Sequence, residues 1–489
     1  MYTTANLTPD KFVPSHFEKE HTMVLNGETI HYKTIAEDNV FYDKTGKPLA
    51  SIYSYSYIRT DIEDNTKRPV VFGFNGGPGS ASYYVHAGFM STKRAVYGED
   101  IDRPTSLGAY EAKDNEYCLL DVADVVVVEP VAVGYGLLID ESAKDQFFGI
   151  QQDAEALLHF IEKWLTKYNR FLSPKYLIGE SYGCTRNAFA LGMSCDGSKH
   201  RDFALAFDGA VMIGNTITTG KYFGKELPVE HAVIAFGTYA AVNWYHNHPS
   251  NQTIKEFVDE AKAFAEHDYL LALFKGESLP KEEREEIIKK VSYYTGVSKE
   301  YLEKHNMNIE ENTFRQEVIK DKGLSTARCD SRITRPRYEP ELEEEKLGLW
   351  DDASADRYDA YYRAVCCGVI FPMMGIQLDR SYVPSYYMWD RDTDKSLWNE
   401  EESLGNTSTM LNKAMHKTMG MRVFFANGYY DTCTLSGYID YLMTHAGLPK
   451  DRVTRKDYES GHMIYYGEQN VKELCLDIKE FIKGGMPHN

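Results

Sequence analysis

The stretch SPKYLIGESYG, residues 173–183, predicts a strand that turns sharply into a helix. Its first part, SPKYLIGE, has the apolar and aromatic content of a buried strand. Its last five residues, GESYG, match the pattern G-x-S-x-G, which is typical of a tight turn that exposes the central serine. This stretch therefore predicts a reactive Ser181, and the alternative is an ordinary strand-to-helix turn.

Strand-like and helix-like segments alternate on both sides of this turn. Residues 22–60 alternate as antiparallel strands do. The valine-rich run 121–130 is typical of a parallel strand covered on both faces, and 152–171 has apolar residues at helical spacing. Further strands are predicted at 68–74, 207–215, 421–431 and 451–462, and a last helix at 470–484. The alternation favours an α/β fold with a mostly parallel central sheet.

The alternation stops after Asn215. Residues 216–410 are charged, rich in tyrosine and helix-like, without a clear series of strands. We therefore expect a first part of the sheet domain at 1–215, a large helical cap insertion at 216–410, and a second part of the sheet domain at 411–489.

Two residues in the last part of the chain complete a set for nucleophilic catalysis. A serine hydroxyl needs a base to become a good nucleophile, and the base needs an acid behind it. In folds with this serine turn, the order along the chain is Ser, then Asp or Glu, then His. Asp431 ends the strand-like FFANGYYD, and His462 follows a Ser-Gly turn. The sequence therefore predicts a triad of Ser181, Asp431 and His462.

A glycine-rich loop provides a further element of this chemistry. The run VVFGFNGGPGS, residues 70–80, is a buried strand that ends in nearly bare backbone. Acyl transfer needs backbone N–H groups directed at a developing oxyanion. One such group belongs to the residue after the nucleophile, here Tyr182, and the other to a glycine-rich loop after an earlier strand. We interpret 75–79 as that loop.

Composition limits the function classes. The 489 residues include 54 Lys and Arg against 73 Asp and Glu, a formal net charge of −19. Such a charge argues against nucleic acid and anionic membrane surfaces as partners. The N-terminus has no signal-peptide pattern, and the eight cysteines have no framework spacing, so we expect a cytoplasmic protein, with a trimmed secreted form as the alternative. No motif predicts a metal or another cofactor, and the oligomeric state is left open.

The motifs NGGPGSAS, GESYG, NGYYD and GHMIY, in this order, resemble the serine carboxypeptidase family. The stretches FGTYAAVNWYH (236–246) and DSR (330–332) resemble its bacterial branch. The resemblance implies an α/β-hydrolase fold with a helical cap, and removal of C-terminal residues from peptides through an acyl-enzyme. It also implies an oxyanion hole at Gly77 and Tyr182. Asn75, Gly76 and Glu180 would bind the terminal carboxylate of the peptide.

One departure from the family pattern affects the expected pH dependence. Eukaryotic members pair the glutamate before the nucleophile with a second one after the glycine loop, whereas SYYVHAGFM (82–90) contains no carboxylate. We therefore expect a pH optimum closer to neutral than in those relatives. Three functions remain open at this point: a serine carboxypeptidase, an esterase or acyltransferase with the same triad, and a non-catalytic binding protein on a hydrolase fold.

Overall fold

A computed structural model provides the three-dimensional structure of the chain. It describes residues 8–97, 110–196, 203–219, 228–337, 352–386 and 407–484, together with 389, 390, 395, 396 and 398. No helix in these ranges is both long enough and apolar enough to span a membrane.

Ten strands of the described chain form one large sheet, and the other six form three small antiparallel pairs. The strands, in chain order, are β1 His16–Leu25, β2 Glu28–Tyr42, β3 Pro48–Arg59, β4 Val70–Phe74, β5 Lys93–Ala95, β6 Ala112–Asp114, β7 Asp124–Glu129, β8 Leu137–Leu138, β9 Lys175–Glu180, β10 Gly209–Ile213, β11 Leu324–Thr326, β12 Thr334–Pro336, β13 Trp389–Asp390, β14 Lys395–Ser396, β15 Arg422–Gly428 and β16 Val453–Tyr458.

The large sheet has the order β1-β2-β3-β7-β4-β9-β10-β15-β16, with β8 beside β3. The first three strands are antiparallel to their neighbours, as the alternating sequence predicted. From β7 to β16 every pairing along this order is parallel. The central strand β7 is buried along its whole length, because helices cover both faces of a parallel sheet. The predicted α/β architecture with a mainly parallel central sheet is thus confirmed.

The helices of the described chain, in order, are α1 Tyr83–Val85, α2 Ile150–Lys167, α3 Tyr182–Ser194, α4 Pro228–Asn247, α5 Ile254–Phe264, α6 Leu270–Lys275, α7 Lys281–Thr295, α8 Lys299–Lys304, α9 Glu311–Glu317, α10 Ala353–Val365, α11 Phe371–Met374, α12 Thr407–Lys417, α13 Gly437–His445 and α14 Glu468–Ile482. The two longest predicted helices, at 152–171 and 470–484, correspond to α2 and α14.

Side chains of the central strands alternate between two hydrophobic cores, as the two-residue period of a strand requires. On one face, Phe72 and Leu177 belong to the core that contains Leu157 of α2. On the other face, Val71 and Ile178 belong to the core that contains residues of α14. The parallel strands therefore all end at one edge of a sheet that is covered on both faces, and the predicted site residues follow those ends.

A third hydrophobic core belongs mainly to helices α4 to α9. Tyr430 and Leu435, which follow β15, are part of this core. The inserted helices are therefore packed against the chain on both sides of Asp431. The described part of 216–410 also contains the short antiparallel pairs β11–β12 and β13–β14, so it is not purely helical. The division of the chain at 215 and 410 stays a prediction.

Candidate active site

Ser181 occupies the turn between β9 and α3. Its backbone has φ 57° and ψ −127°, a conformation that costs a residue with a side chain on the order of 1–3 kcal/mol. The N–H of Ser181 donates to the carbonyl of Ile213, at 2.8 Å, at the end of β10. A β-carbon at Gly179 would lie 2.3 Å from the carbonyl oxygen of Gly183. Glycine at 179 is therefore required for the strand and the helix to approach so closely.

Asp431 is completely buried just beyond the end of β15. Its Oδ1 accepts the backbone N–H groups of Cys433, at 2.8 Å, and Thr434, at 2.9 Å. The hydroxyl of Thr434 donates to Oδ2. These three donors stabilise the ionised carboxylate and fix its orientation.

His462 binds this carboxylate through Nδ1, which lies 2.8 Å from Asp431 Oδ2. Burial by itself would lower the pKa of His462, but the negative charge of Asp431, aided by Cys433 and Glu180, raises it above the ordinary value of 6.5. A charged imidazole is thus stabilised, as the transfer of a proton to the base requires.

The imidazole of His462 also lies close to the serine turn. A β-carbon at Gly214 would lie 2.7 Å from His462 Cε1, and Gly214 directly follows Ile213, the acceptor for the Ser181 N–H. Within the described chain the Ser181 hydroxyl makes no hydrogen bond. Such catalytic hydrogen bonds are often long without substrate and shorten when it binds.

The glycine loop lies directly on the backbone of the serine turn. A β-carbon at Gly76 would lie 2.4 Å from the backbone nitrogen of Tyr182 and 2.6 Å from the carbonyl oxygen of Glu180. Gly77 has φ 107°, which side-chain-bearing residues rarely adopt. The structure therefore brings together the two segments whose N–H groups, at Gly77 and Tyr182, are the predicted oxyanion hole.

Arg186 connects this loop to helices α2 and α3. Its Nη1 donates to the carbonyl of Asn75 at 2.8 Å, and its Nε donates to Asp153 Oδ2 at 2.6 Å. The hydroxyl of Tyr182 donates to the same carboxylate oxygen at 3.2 Å. Because both members of the ion pair are buried, this contact holds the glycine loop in place without competition from water.

The side chains of Asn75 and Glu180 form a buried pair next to the nucleophile. Asn75 Nδ2 donates to Glu180 Oε1 at 2.5 Å, and Asn75 Oδ1 accepts the N–H of Val85 at 3.1 Å. The second bond fixes which end of the amide faces the carboxyl group. Glu180 is only 2% exposed, and its Oε2 has no hydrogen-bond partner in the described chain.

Burial is the main cause of an unusual pKa at Glu180. It raises the pKa from the ordinary 4.5 to about 7, although the positive charge of His462 and the hydroxyl of Tyr465 lower it. A substantial fraction of Glu180 is therefore protonated near neutral pH. In that state the carboxyl group can donate a hydrogen bond to an anion, which an ionised carboxylate cannot do.

A metal ion could in principle use part of the triad. Asp431, Cys433 and His462 each offer one ligand atom, and these three atoms lie within 4.8 Å of one another. The contact between His462 Nδ1 and Asp431 uses two of these residues, so an ion would compete with the triad. The expectation that the protein needs no metal or cofactor stays a prediction.

The structure thus gathers all eight predicted site residues at one edge of the sheet, although their roles stay predictions. Sequence reasoning missed Thr434, Arg186, Asp153 and Tyr465. Thr434 is three residues from Asp431, and Tyr465 is three residues from His462, so proximity to the motifs was a usable signal for these two. The pairing of Arg186 with Asp153 spans 33 residues and has no motif that would indicate it.

Comparison with known proteins identifies the family. A family model described as serine carboxypeptidase matches residues 50–473. The chain belongs to the serine carboxypeptidase family. This match includes the glycine loop, the serine turn and the positions of Asp431 and His462.

Two curated plant proteins of the serine carboxypeptidase family are similar over shorter stretches. Serine carboxypeptidase-like 33 of Arabidopsis thaliana is 29% identical over 189 residues, which cover 36% of this chain and 36% of that protein. Serine carboxypeptidase 1 of Hordeum vulgare is 31% identical over 129 residues, or 26% of this chain and 25% of that protein. The matches therefore span about a third or less of the length of these relatives.

The fold is shared with a solved structure of a carboxypeptidase. A prohormone-processing carboxypeptidase from Saccharomyces cerevisiae superimposes with a TM-score of 0.54 and covers 93% of this chain and 91% of its own, at 12% sequence identity. This similarity supports the α/β-hydrolase fold of the family.

Proposed function

We propose that this protein is a serine-type carboxypeptidase, which releases single residues from the free C-termini of peptides through an acyl-enzyme intermediate. Family membership supports the reaction class, and the arrangement of the site supports cleavage at the C-terminal end of the peptide. Nucleic acid remains an unsuitable partner for a chain with a net charge of −19.

The observation that carries this proposal is the Asn75–Glu180 pair beside Ser181. A nucleophile alone does not determine where a peptide is cut. A carboxylate-binding group next to the nucleophile does, because it places the last peptide bond of a bound chain at the serine. Asn75 is held by the N–H of Val85, and Glu180 is buried and partly protonated near pH 7. Together they can accept a terminal carboxylate without charge repulsion.

Acylation begins when the Ser181 hydroxyl attacks the carbonyl carbon of that last peptide bond. His462 takes the hydroxyl proton, and Asp431 stabilises the resulting imidazolium through the 2.8 Å contact at Nδ1. The carbonyl oxygen becomes negatively charged, and the N–H groups of Gly77 and Tyr182 stabilise it. His462 then donates its proton to the leaving nitrogen, and the C-terminal amino acid departs.

Deacylation repeats these steps with water. His462 takes a proton from a water molecule as the water attacks the ester of Ser181, and the shortened peptide leaves with a new C-terminal carboxylate. Ser181 recovers its proton from His462. The product is again a peptide with a free C-terminus, so the same chain can be shortened repeatedly.

Mass spectrometry of a peptide pool tests this function. N-terminally acetylated peptides with free C-termini, incubated with the protein, should lose residues one at a time from the C-terminal end. A serine-reactive phosphonate should form an adduct on Ser181. Labelling and ester turnover without peptide shortening would favour the esterase or acyltransferase alternative, and no labelling and no turnover would favour a binding protein.

A further inference from the structure

Two buried polar atoms at the active site have no hydrogen-bond partner in the described chain. They are Oε2 of Glu180 and the hydroxyl oxygen of Tyr465. Glu180 is 2% exposed and Tyr465 is fully buried. An unpaired buried polar group is costly and uncommon in native proteins. Two such groups at one site can therefore pair with each other and with a group that arrives from outside.

Tyr465 is held rigidly at this position. A β-carbon at Gly88 would lie 2.3 Å from Tyr465 Cε2, so the ring packs directly on the backbone of residue 88. The ring centre of Phe89 is 5.1 Å away. Gly88 is in the turn that continues α1, and Val85, the last residue of α1, supplies the N–H that orients Asn75. One short helical segment therefore positions both Asn75 and Tyr465 around Glu180.

Glu180 and Tyr465 are close enough to affect each other's ionisation. The hydroxyl of Tyr465 lowers the pKa of Glu180, and burial together with the charge of Glu180 raises the pKa of Tyr465 far above its usual range. His462 and Asp431 are the other charged groups that affect Glu180. The other titratable side chains recorded near Tyr465 are the phenols Tyr84, Tyr97 and Tyr362. These phenols are uncharged at neutral pH, so they add no further charge beside Tyr465.

The positions of the hydrogen bonds determine where the proton of Glu180 resides. Oε1 accepts the amide of Asn75, so the proton of the neutral carboxyl group belongs on Oε2. Oε2 can then donate this proton to an incoming carboxylate and still accept a bond from Tyr465, since a carboxyl O–H oxygen is both a donor and an acceptor.

We propose that Tyr465 is a positioning residue for Glu180, whose hydroxyl donates a hydrogen bond to Oε2 and directs the Glu180 proton at the terminal carboxylate of the peptide. This inference rests on the proposed carboxypeptidase function. It assigns carboxylate recognition to three groups in series: the Tyr465 hydroxyl, the Glu180 carboxyl and the carboxylate of the substrate.

The substitution Tyr465→Phe keeps the ring and removes the donor. Ionised Glu180 loses a stabilising hydrogen bond, so it ionises at higher pH. The alkaline decline of kcat/KM for a free-acid peptide should therefore move up by about one pH unit. At lower pH, KM for the same peptide should increase about 5- to 10-fold because the carboxyl group is less well oriented. The value of kcat should stay the same, since the triad is untouched.

The test compares pH profiles of the wild type, Tyr465→Phe and the matched control Tyr466→Phe. Each is measured on a free-acid peptide and on an ester substrate that has no carboxylate. We expect the alkaline decline of kcat/KM to move only in Tyr465→Phe, and only with the free-acid peptide. Profiles of Tyr465→Phe that coincide with those of the wild type would overturn the inference, as would an equal shift in the control. If the wild type does not prefer the free acid over the matched amide, the proposed function itself is wrong.

A second measurement observes Tyr465 in the wild-type protein and does not depend on whether Tyr465→Phe folds. Infrared difference spectra recorded against Glu180→Gln isolate the carbonyl band of protonated Glu180. A tyrosine ring band should change with the same midpoint, because the donated hydrogen bond becomes stronger when Glu180 ionises. A tyrosine signal that does not change through the Glu180 titration would contradict the proposal.

Discussion

Arg186 donates a hydrogen bond to the main-chain carbonyl of Asn75 across 2.8 Å, so a side chain of the helix that follows the nucleophile holds the glycine loop. The two residues are 111 positions apart in the chain. The guanidinium also stacks on Phe74, 4.9 Å from the ring centre. The two loops that form the predicted oxyanion hole are thus fixed to each other by one buried cation.

Replacing Arg186 by Met should therefore destabilise the protein. Asp153 would be left as a buried charge without its partner, which typically costs about 3–5 kcal/mol. Chemical denaturation measures the free energy of unfolding. The double variant Arg186→Met with Asp153→Leu removes both charges and should recover part of the loss. A single variant that loses less than about 1 kcal/mol would show that the pair is not an important contact.

Gly76→Ala should reduce turnover. The new methyl group would lie 2.4 Å from the Tyr182 nitrogen and 2.6 Å from the Glu180 carbonyl oxygen, and both are backbone atoms. The glycine loop must then move away from the serine turn, and losing one oxyanion donor typically lowers kcat about 10²–10³-fold. Gly420→Ala is the matched control, because a methyl group there meets nothing within 4 Å. Equal kcat values for the two variants would argue against this placement of the oxyanion hole.

Asp431→Asn should lower kcat by about 10⁴-fold, since an amide favours the wrong tautomer of the base. It should also change the pH dependence. The negative charge of Asp431 raises the pKa of His462, so its removal lowers that pKa. The acidic limb of kcat/KM should then move to lower pH. Steady-state kinetics on an ester substrate, which has no carboxylate for Glu180 to bind, would measure both effects, and an unchanged acidic limb would count against the pairing.

Glu180→Gln should broaden the pH range on free-acid peptides at both ends. Glutamine keeps a donor and does not ionise, so the decline near pH 7 that accompanies ionisation of Glu180 should disappear. The charge of Glu180 also raises the pKa of His462, so the acidic limb should move to lower pH. A profile identical to that of the wild type would mean that Glu180 is not the titrating group.

The same carboxyl group affects folding stability. Its pKa of about 7 in the folded protein is above the ordinary 4.5, so the folded state binds more protons than the unfolded state between these values. The contribution of Glu180 is complete below pH 4.5 and is lost as the pH rises through 7. Relative to Glu180→Gln, the wild type should become less stable across this interval. Urea denaturation of both proteins at several pH values would measure this difference in the free energy of unfolding. A difference that does not change with pH would contradict this account.

Local sequence was sufficient to predict the central strands and the residues at their ends. Strand β9 and helix α3 meet at a turn whose glycines are visible in the sequence, and Asp431 and His462 follow strands with clear patterns. These features depend on short-range rules of strands, turns and glycine conformation.

Contacts between side chains far apart in the chain could not be predicted in this way. The Arg186–Asp153 pair joins two helices, and Tyr465, in the loop after β16, lies near Glu180 at the end of β9. Neither contact has a fixed spacing or a local pattern, because tertiary packing alone brings these residues together. The short strands β11 to β14 were missed for a related reason, since each has only two or three residues.

The most direct test of the central claim is the rate at which the C-terminal residue is released from a peptide and from its C-terminal amide, with the wild type and Ser181→Ala. We predict that the wild type cleaves the free acid about 10- to 100-fold faster, the effect of one charge-assisted hydrogen bond. Ser181→Ala should lose activity by several orders of magnitude. Equal rates on the two peptides, or a Ser181→Ala variant with near-normal activity, would contradict the assignment of a serine carboxypeptidase site to these residues.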